Sequence, residues 1–162
     1  MNRRKHVVRV GTSDDVDWAL ELAPEMASFG LPPWREFDHF LETCRAGLRR
    51  ALETVDPEDV VLVAVDGDGE RVGLAHLVIG RNPTGDGRAV HIEDFAVTAE
   101  HRRMGIGSLL LAESERWAHD RGIDALVLAV FQDNAAARRF YARHGFRDDT
   151  VRVVKTLDDD HG

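Results

Sequence analysis

Apolar positions recur along this chain at two periods, near 3.6 and near 2, and the switches between them divide it into elements. His6 to Val10 reads as a short strand. Thr12-Ser13-Asp14-Asp15 then offers a helix cap, and Trp18, Leu22 and Met26 follow at i, i+4 spacing, predicting a first helix over about 13–28. Gly30-Leu31-Pro32-Pro33 breaks that pattern, and Phe37, Phe40, Leu41, Cys44 and Leu48 mark a second amphipathic helix over about 34–54. Beyond Asp56-Pro57 the period falls to strand-like runs: Val60 to Val65, the polar turn Asp66-Gly67-Asp68-Gly69, then Val72 to Ile79, a β-hairpin. A loop from Asn82 to Gly87 leads into a third strand reaching Val97, so the three make a meander. The remainder alternates: a helix over about 105–120 with Ile106, Leu110 and Trp117 on one stripe, a buried strand over about 125–131, a helix from Asp133 to His144, and strands near 146–156. Asp158 to Gly162 reads as a polar tail, leaving 1–157 as one expected domain.

Composition fits that division: 162 residues, 43% of them hydrophobic, suffice for one core. The formal charge of −8 opposes a phosphate backbone, so nucleic acid is not an expected partner. Neither of the longest apolar stretches, Val60 to Val65 and Ala125 to Phe131, approaches the roughly 20 residues that span a bilayer, so no membrane association is expected. Arg3, Arg4 and Lys5 resemble a charged leader, but Arg9 and Gly11 interrupt the apolar stretch that follows, which argues against export. The single Cys44 makes no internal disulfide and suits a reducing cytoplasm; it reads as core or surface filler. Eight scattered histidines and no H-E-x-x-H spacing predict no metal site.

Chemistry concentrates after Val97. The run Thr98-Ala99-Glu100-His101-Arg102-Arg103-Met104-Gly105-Ile106-Gly107-Ser108 carries two arginines and two glycines from a strand into a helix. Free N–H groups and the positive end of the helix dipole would face an anion there, and glycine lets a phosphate approach the backbone. Alternatively, the glycines only shape the turn and the arginines are solvated. Ser108 and Leu109, rather than Lys, follow Gly107, and Leu110 stands where a dinucleotide fingerprint needs a small residue; both nucleotide-binding patterns are weakened.

Arg102-x-x-Gly105-x-Gly107, following Glu93-Asp94-Phe95-Ala96-Val97, resembles the pyrophosphate loop of the Gcn5-related N-acetyltransferase (GNAT) superfamily. Asn134-x-x-Ala137-x-x-Phe140-Tyr141-x-x-x-Gly145-Phe146 resembles that superfamily's second acetyl-CoA motif, in the right order along the chain. The resemblance is specific over about 90–146 and rests on element order elsewhere. It implies an α/β (mixed α+β) fold, a central mixed sheet of about six to seven strands with about four helices, and acetyl-CoA lying between parallel strands that end near Val97 and Phe131. By the same resemblance, Phe95, the Val97 N–H, Asn134, Ala137 and Tyr141 attend the thioester and pantetheine arm. Arg102, Arg103 and the amides of Met104, Gly105, Ile106, Gly107 and Ser108 hold the pyrophosphate. Arg138, Arg139 and Arg143 stand either near the adenosine phosphate or on a solvated helix face.

The implied activity is acetyl transfer from acetyl-CoA to a primary amine in a ternary complex. An amine of pKa about 10.4 is almost wholly protonated at pH 7, and freeing its lone pair costs roughly 4 to 5 kcal/mol. Glu93 matches the family's general base, Asp94 is its rival should a bulge alter the strand's alternation, and His91 shares Glu93's face in a regular strand. Tyr141 matches the tyrosine facing the departing sulfur; a hydrogen bond to the developing thiolate demands less than full proton transfer, which is uphill by about 2 kcal/mol at ordinary pKa values. Phe29, Leu31 and Trp34 in the connection between the first two helices, with Glu93 and Asp94, are candidate acceptor contacts. Net charge −8 and Glu36, Asp38 and Glu42 suit a cationic acceptor: a polyamine, an aminoglycoside or a peptide amine. Two further expectations stay open: a homodimer, and a CoA-binding sensor or partner-binding module without catalysis.

Overall fold

The strand-like runs assemble into one mixed sheet of order β1-β2-β3-β4-β5 in the computed structural model, which describes residues 5–157. The strands are β1 (Val7–Val10), β2 (Asp59–Val65), β3 (Arg71–Arg81), β4 (Arg88–Val97) and β5 (Leu126–Leu128). The first four run antiparallel to their neighbours, and β5 joins β4 in parallel. The helices are α1 (Val16–Leu22), α2 (Phe37–Glu53), α3 (Ile106–His119) and α4 (Ala135–Arg143). Period-two alternation sorts the strand side chains onto two faces. Leu62, Ala64, Leu77, Val90 and Ile92 pack with Ile106, Leu110, Leu111 and Trp117 of α3 on one face. Val61, Val63, Leu74 and Ala96 pack with Val16, Ala19, Leu22, Leu48 and Leu52 of α1 and α2 on the other.

Several elements depart from the pattern-based expectation. The first helix is not continuous over 13–28: a 3-10 turn at Ser13–Asp15 precedes α1, and a second at Ala23–Ala27 follows it. Pro24 has no N–H to continue the α-helical ladder, and the chain tightens to i→i+3 bonds such as Ser28 N–H to Glu25 O. The second helix begins at Phe37 instead of 34, because Glu36 is extended (φ −81°, ψ 125°). Of the expected strand at 125–131 only Leu126–Leu128 pairs. The expected strands near 146–156 do not form, so the described sheet has five strands rather than six or seven. Val151 (80% exposed) and Val153 (88%) find no apolar partner, and the three-residue β5 offers little main chain for a further strand to pair with. The expected tail, Asp158 to Gly162, lies outside the described residues.

One irregularity sets the chemistry. On β3 and β4, His76 pairs with Asp94 and Leu77 with Ile92, so Glu93 is the extra residue of a β-bulge. The bulge turns Asp94 onto the α2-facing side beside His76 and leaves Glu93 exposed. No helix among the described residues is long and apolar enough to cross a membrane.

Candidate active site

β4 and β5 pair only from Val90 to Ile92 against Leu126 to Leu128. Beyond that register β4 continues to Val97 without its parallel partner, and a cleft of about 140 Å³ lies alongside. Glu93, Asp94 and Phe95 of β4, the chain from Ala129 to Phe131 after β5, and Asn134, Ala137 and Tyr141 at α4 line it. Phe29, Phe40 and Cys44 close it from the side of the α1–α2 connection and α2. Phe29 and Phe40 set their rings 5.4 and 6.1 Å from that of Phe131, making an aromatic wall.

The two candidate carboxylates are placed differently. Glu93 is exposed and faces both this cleft and an adjoining open groove of about 690 Å³ near the β3–β4 turn, shared with Arg81, Asn82 and His91. His91 is half-buried, with Nε2 2.8 Å from the Arg81 carbonyl oxygen. Asp94 is buried, its Oδ2 2.8 Å from His76 Nδ1, while His76 Nε2 lies 2.7 Å from Asp59 Oδ1. Burial alone would lower the His76 pKa, but the bonds and charges of Asp94 and Asp59 outweigh it and raise it above the ordinary value.

Tyr141 sits among Phe95, Phe140 and Phe146, with ring centroids 6.1, 5.3 and 5.5 Å away. Burial pushes its phenol up to about 12, so the group stays protonated and keeps an O–H available to donate. Asn134 caps α4, its Oδ1 accepting from the Ala137 N–H at 3.2 Å. Cys44 is a lining residue, which its sequence context did not signal. Burial first and the adjacent Asp94 second push its thiol up to about 12, leaving it protonated and a poor nucleophile.

The glycine-containing loop opens α3. Gly105 adopts φ +81°, reserved in practice for glycine, and no atom stands within 4 Å of where a Cβ would be, so the space over this helix end is free. Arg103 is left-handed too (φ 62°), a conformation that costs a non-glycine residue roughly 1–2 kcal/mol. Gly107 has a different reason: a Cβ there would meet the Phe140 ring at 3.2 Å, so its absence lets α3 approach α4. The exposed Ser108 places Oγ 2.9 Å from His144 Nε2; Met104 is exposed, and Ile106 is core. Arg102 is engaged elsewhere, donating to Glu25 at 2.5 Å and Ser28 Oγ at 3.3 Å.

The structure therefore brings Glu93, Asp94, Phe95, Asn134, Ala137, Tyr141 and Phe29 to one cleft. Leu31 and the exposed Trp34 are not among its lining residues. Arg138 is paired with Asp148 at 2.8 Å, and Arg139 and Arg143 are exposed. Pattern reading missed Cys44, Met26 and Phe40 in the lining, and Asp59 and His76 behind Asp94. Strand register joins that trio across the sheet, and no local motif announces it.

The free helix end and open cleft fit a long, anionic thioester ligand: amides at 104–108 for its phosphates, and Phe95, Asn134 and Tyr141 for its acyl end. Comparison with known proteins points the same way. The acetyltransferase (GNAT) family model matches residues 20–146. Streptothricin acetyltransferase of Streptomyces lavendulae is 34% identical over 94 residues, covering 58% of this chain and 48% of that protein, so the chain spans about half of that relative's length. A putative acetyl transferase from Pyrococcus furiosus superposes with a TM-score of 0.76 at 22% identity, over 94% of this chain and 100% of that one. Aminoglycoside N-acetyltransferase AAC(6')-Iy, solved in complex with CoA, superposes with a TM-score of 0.70 at 18% identity, over 96% of each chain. At these identities the two superpositions establish the fold alone.

Proposed function

This chain belongs to the acetyltransferase (GNAT) family, and from that premise we propose that it transfers an acetyl group from acetyl-CoA directly to a primary amine of a small cationic acceptor. The observation that carries this reading is the cleft where β4 leaves β5, with an exposed carboxylate and a half-buried phenol on its walls and a free helix end nearby. Acetyl-CoA supplies the activated acyl group when bound. The α3 amides and Arg103 hold its phosphates, and the Val97 N–H faces the thioester carbonyl. Asn134 orients the pantetheine arm. Glu93, exposed at the bulge, takes the proton of the acceptor ammonium, directly or through water. Tyr141 donates a hydrogen bond as charge develops on sulfur.

Direct attack is favoured over a covalent acyl-enzyme because the cleft's own thiol, Cys44, is held protonated. A small polycationic acceptor is favoured by the chain's charge of −8 and by the streptothricin and aminoglycoside acetyltransferases that resemble it. A reducing cytoplasm suits the single unbridged cysteine.

The test is release of CoA thiol from acetyl-CoA in the presence of streptothricin, aminoglycosides, polyamines and Lys peptides, with Glu93→Gln and Tyr141→Phe alongside. Amine-dependent release that both substitutions slow is expected. Saturable acetyl-CoA binding with no release for any amine would replace the transferase by a CoA-sensing module.

A further inference from the structure

Behind the cleft wall runs a buried chain of three ionisable side chains from three strands: Asp59 on β2, His76 on β3 and Asp94 on β4. His76 is 2% exposed, Asp94 8% and Asp59 12% in their side chains. Each ring nitrogen of His76 faces a carboxylate oxygen, at 2.8 and 2.7 Å. A neutral imidazole has one N–H, and its other nitrogen would meet a carboxylate lone pair to lone pair. Two bonds therefore require two shared protons, whether the ring is an imidazolium between two carboxylates or one carboxyl holds a proton. In either arrangement the trio carries one net negative charge.

The other groups facing the chain are few. Arg50 of α2 reaches Asp59 at the outer end, at 3.3 Å. The neutral Cys44 thiol of α2 stands beside Asp94 at the inner end. Gly47 of α2 presents only backbone to the ring: a Cβ there would lie 3.5 Å from His76 Cε1. Asp94 alone of the three lines the cleft, next to Glu93. Arg50 balances the outer end at Asp59, so the inner end, where Asp94 meets the cleft, is where an entering cation would find a carboxylate already held in place by His76.

We propose that the Asp59–His76–Asp94 chain is an ammonium anchor for the acceptor: Asp94 contacts the acceptor's cationic nitrogen, and His76 is the positioning residue that fixes Asp94 in orientation and charge. This rests on the transferase reading above and divides labour between adjacent carboxylates. Glu93 removes the proton and Asp94 holds the nitrogen in place. The anchor selects acceptors bearing a positive charge at or beside the reacting amine, and it makes no demand on acetyl-CoA. The raised His76 pKa agrees with a ring that keeps both protons through neutral pH.

The test pairs ring-nitrogen NMR of His76 in the resting protein with kinetics on the amine giving the fastest CoA release. Both His76 nitrogens are expected to carry protons well above the ordinary titration near pH 6.5, and Asp59→Asn, outside the cleft, lowers the pH at which they titrate. Asp94→Asn and His76→Gln each raise the acceptor KM on the order of tenfold and leave the acetyl-CoA KM unchanged. Combined with Asp94→Asn, His76→Gln adds nothing further, because it acts through Asp94. A His76 ring titrating near 6.5, an unchanged acceptor KM in folded His76→Gln, or additive effects in the double variant would overturn the anchor. If wild type acetylates no amine the transferase reading falls instead, and the ring spectrum still decides whether the doubly protonated chain exists.

Discussion

Glu93 and Asp94 sit side by side in sequence, and the bulge at Glu93 gives them different surroundings: one solvated, one bonded to His76. Replacing Glu93 with Gln keeps size and removes the base. We expect kcat to fall by about 10²-fold at neutral pH, with the deficit shrinking as pH approaches the acceptor's pKa of about 10.4, where the amine needs no help. A pH–rate profile of both proteins on one acceptor checks this, and a constant deficit at every pH would assign Glu93 to binding. Asp15 illustrates a carboxylate with a structural task. It is fully buried and accepts from Arg9 at 2.7 and 2.8 Å, Arg71 at 2.5 Å and the Thr12 N–H at 2.8 Å, tying the 3-10 turn at Ser13–Asp15 to β1 and β3. Asp15→Asn should destabilise the fold by about 3 kcal/mol, the low end for breaking a buried pair, because the half-exposed arginines regain water. Chemical denaturation measures it.

At the scale of elements, the approach of α3 to α4 depends on Gly107, whose Cβ position is 3.2 Å from Phe140 Cζ and 3.3 Å from Cε2. Gly107→Ala must push back a ring that packs on Phe95 and Tyr141, so the gain in helix propensity is outweighed; a net loss of about 1 kcal/mol is expected in thermal unfolding. How far such elements can be read from sequence follows the range of the forces that make them. The meander, α3 and α4 are legible because local periodicity decides them, and the loop at 102–108 because its glycines mark a conformation and an approach. The α1 break at Pro24 is also local, but the i, i+4 pattern of Trp18, Leu22 and Met26 runs straight through it and masks it. Strands near 146–156 look plausible from Val151, Val153 and Val154, but a strand exists only with an edge to join, and β5 is three residues long. The Asp59–His76–Asp94 chain depends on register across three strands plus a one-residue bulge, information that no window of sequence contains.

For the whole molecule, the buried ionisable groups set opposing limits on stability. Burial pushes the Asp15 carboxyl up, but its bonds to Arg9, Arg71 and Thr12 prevail and hold it well below the ordinary range. Its contribution is therefore complete above the unfolded value of about 3.9 and is lost as pH falls below that toward the folded value. His76 has the opposite sign: its pKa is raised on folding, so its contribution is complete below about 6.5 and is lost as pH rises through the folded value. Cys44, held at about 12, adds a further loss once the unfolded thiol ionises above about 8.5. Thermal melts from pH 3 to pH 10 should show maximal stability between about pH 5 and 6.5, with the acid limb flattened in Asp15→Asn. The central claim is that acetyl passes from acetyl-CoA to an amine without lodging on the protein. The most direct measurement is initial velocity over a grid of acetyl-CoA and amine concentrations, using the panel member that gives the fastest thiol release. Intersecting double-reciprocal lines, unchanged in pattern by Cys44→Ala, are predicted; parallel lines would contradict the account by showing that an acyl-enzyme forms.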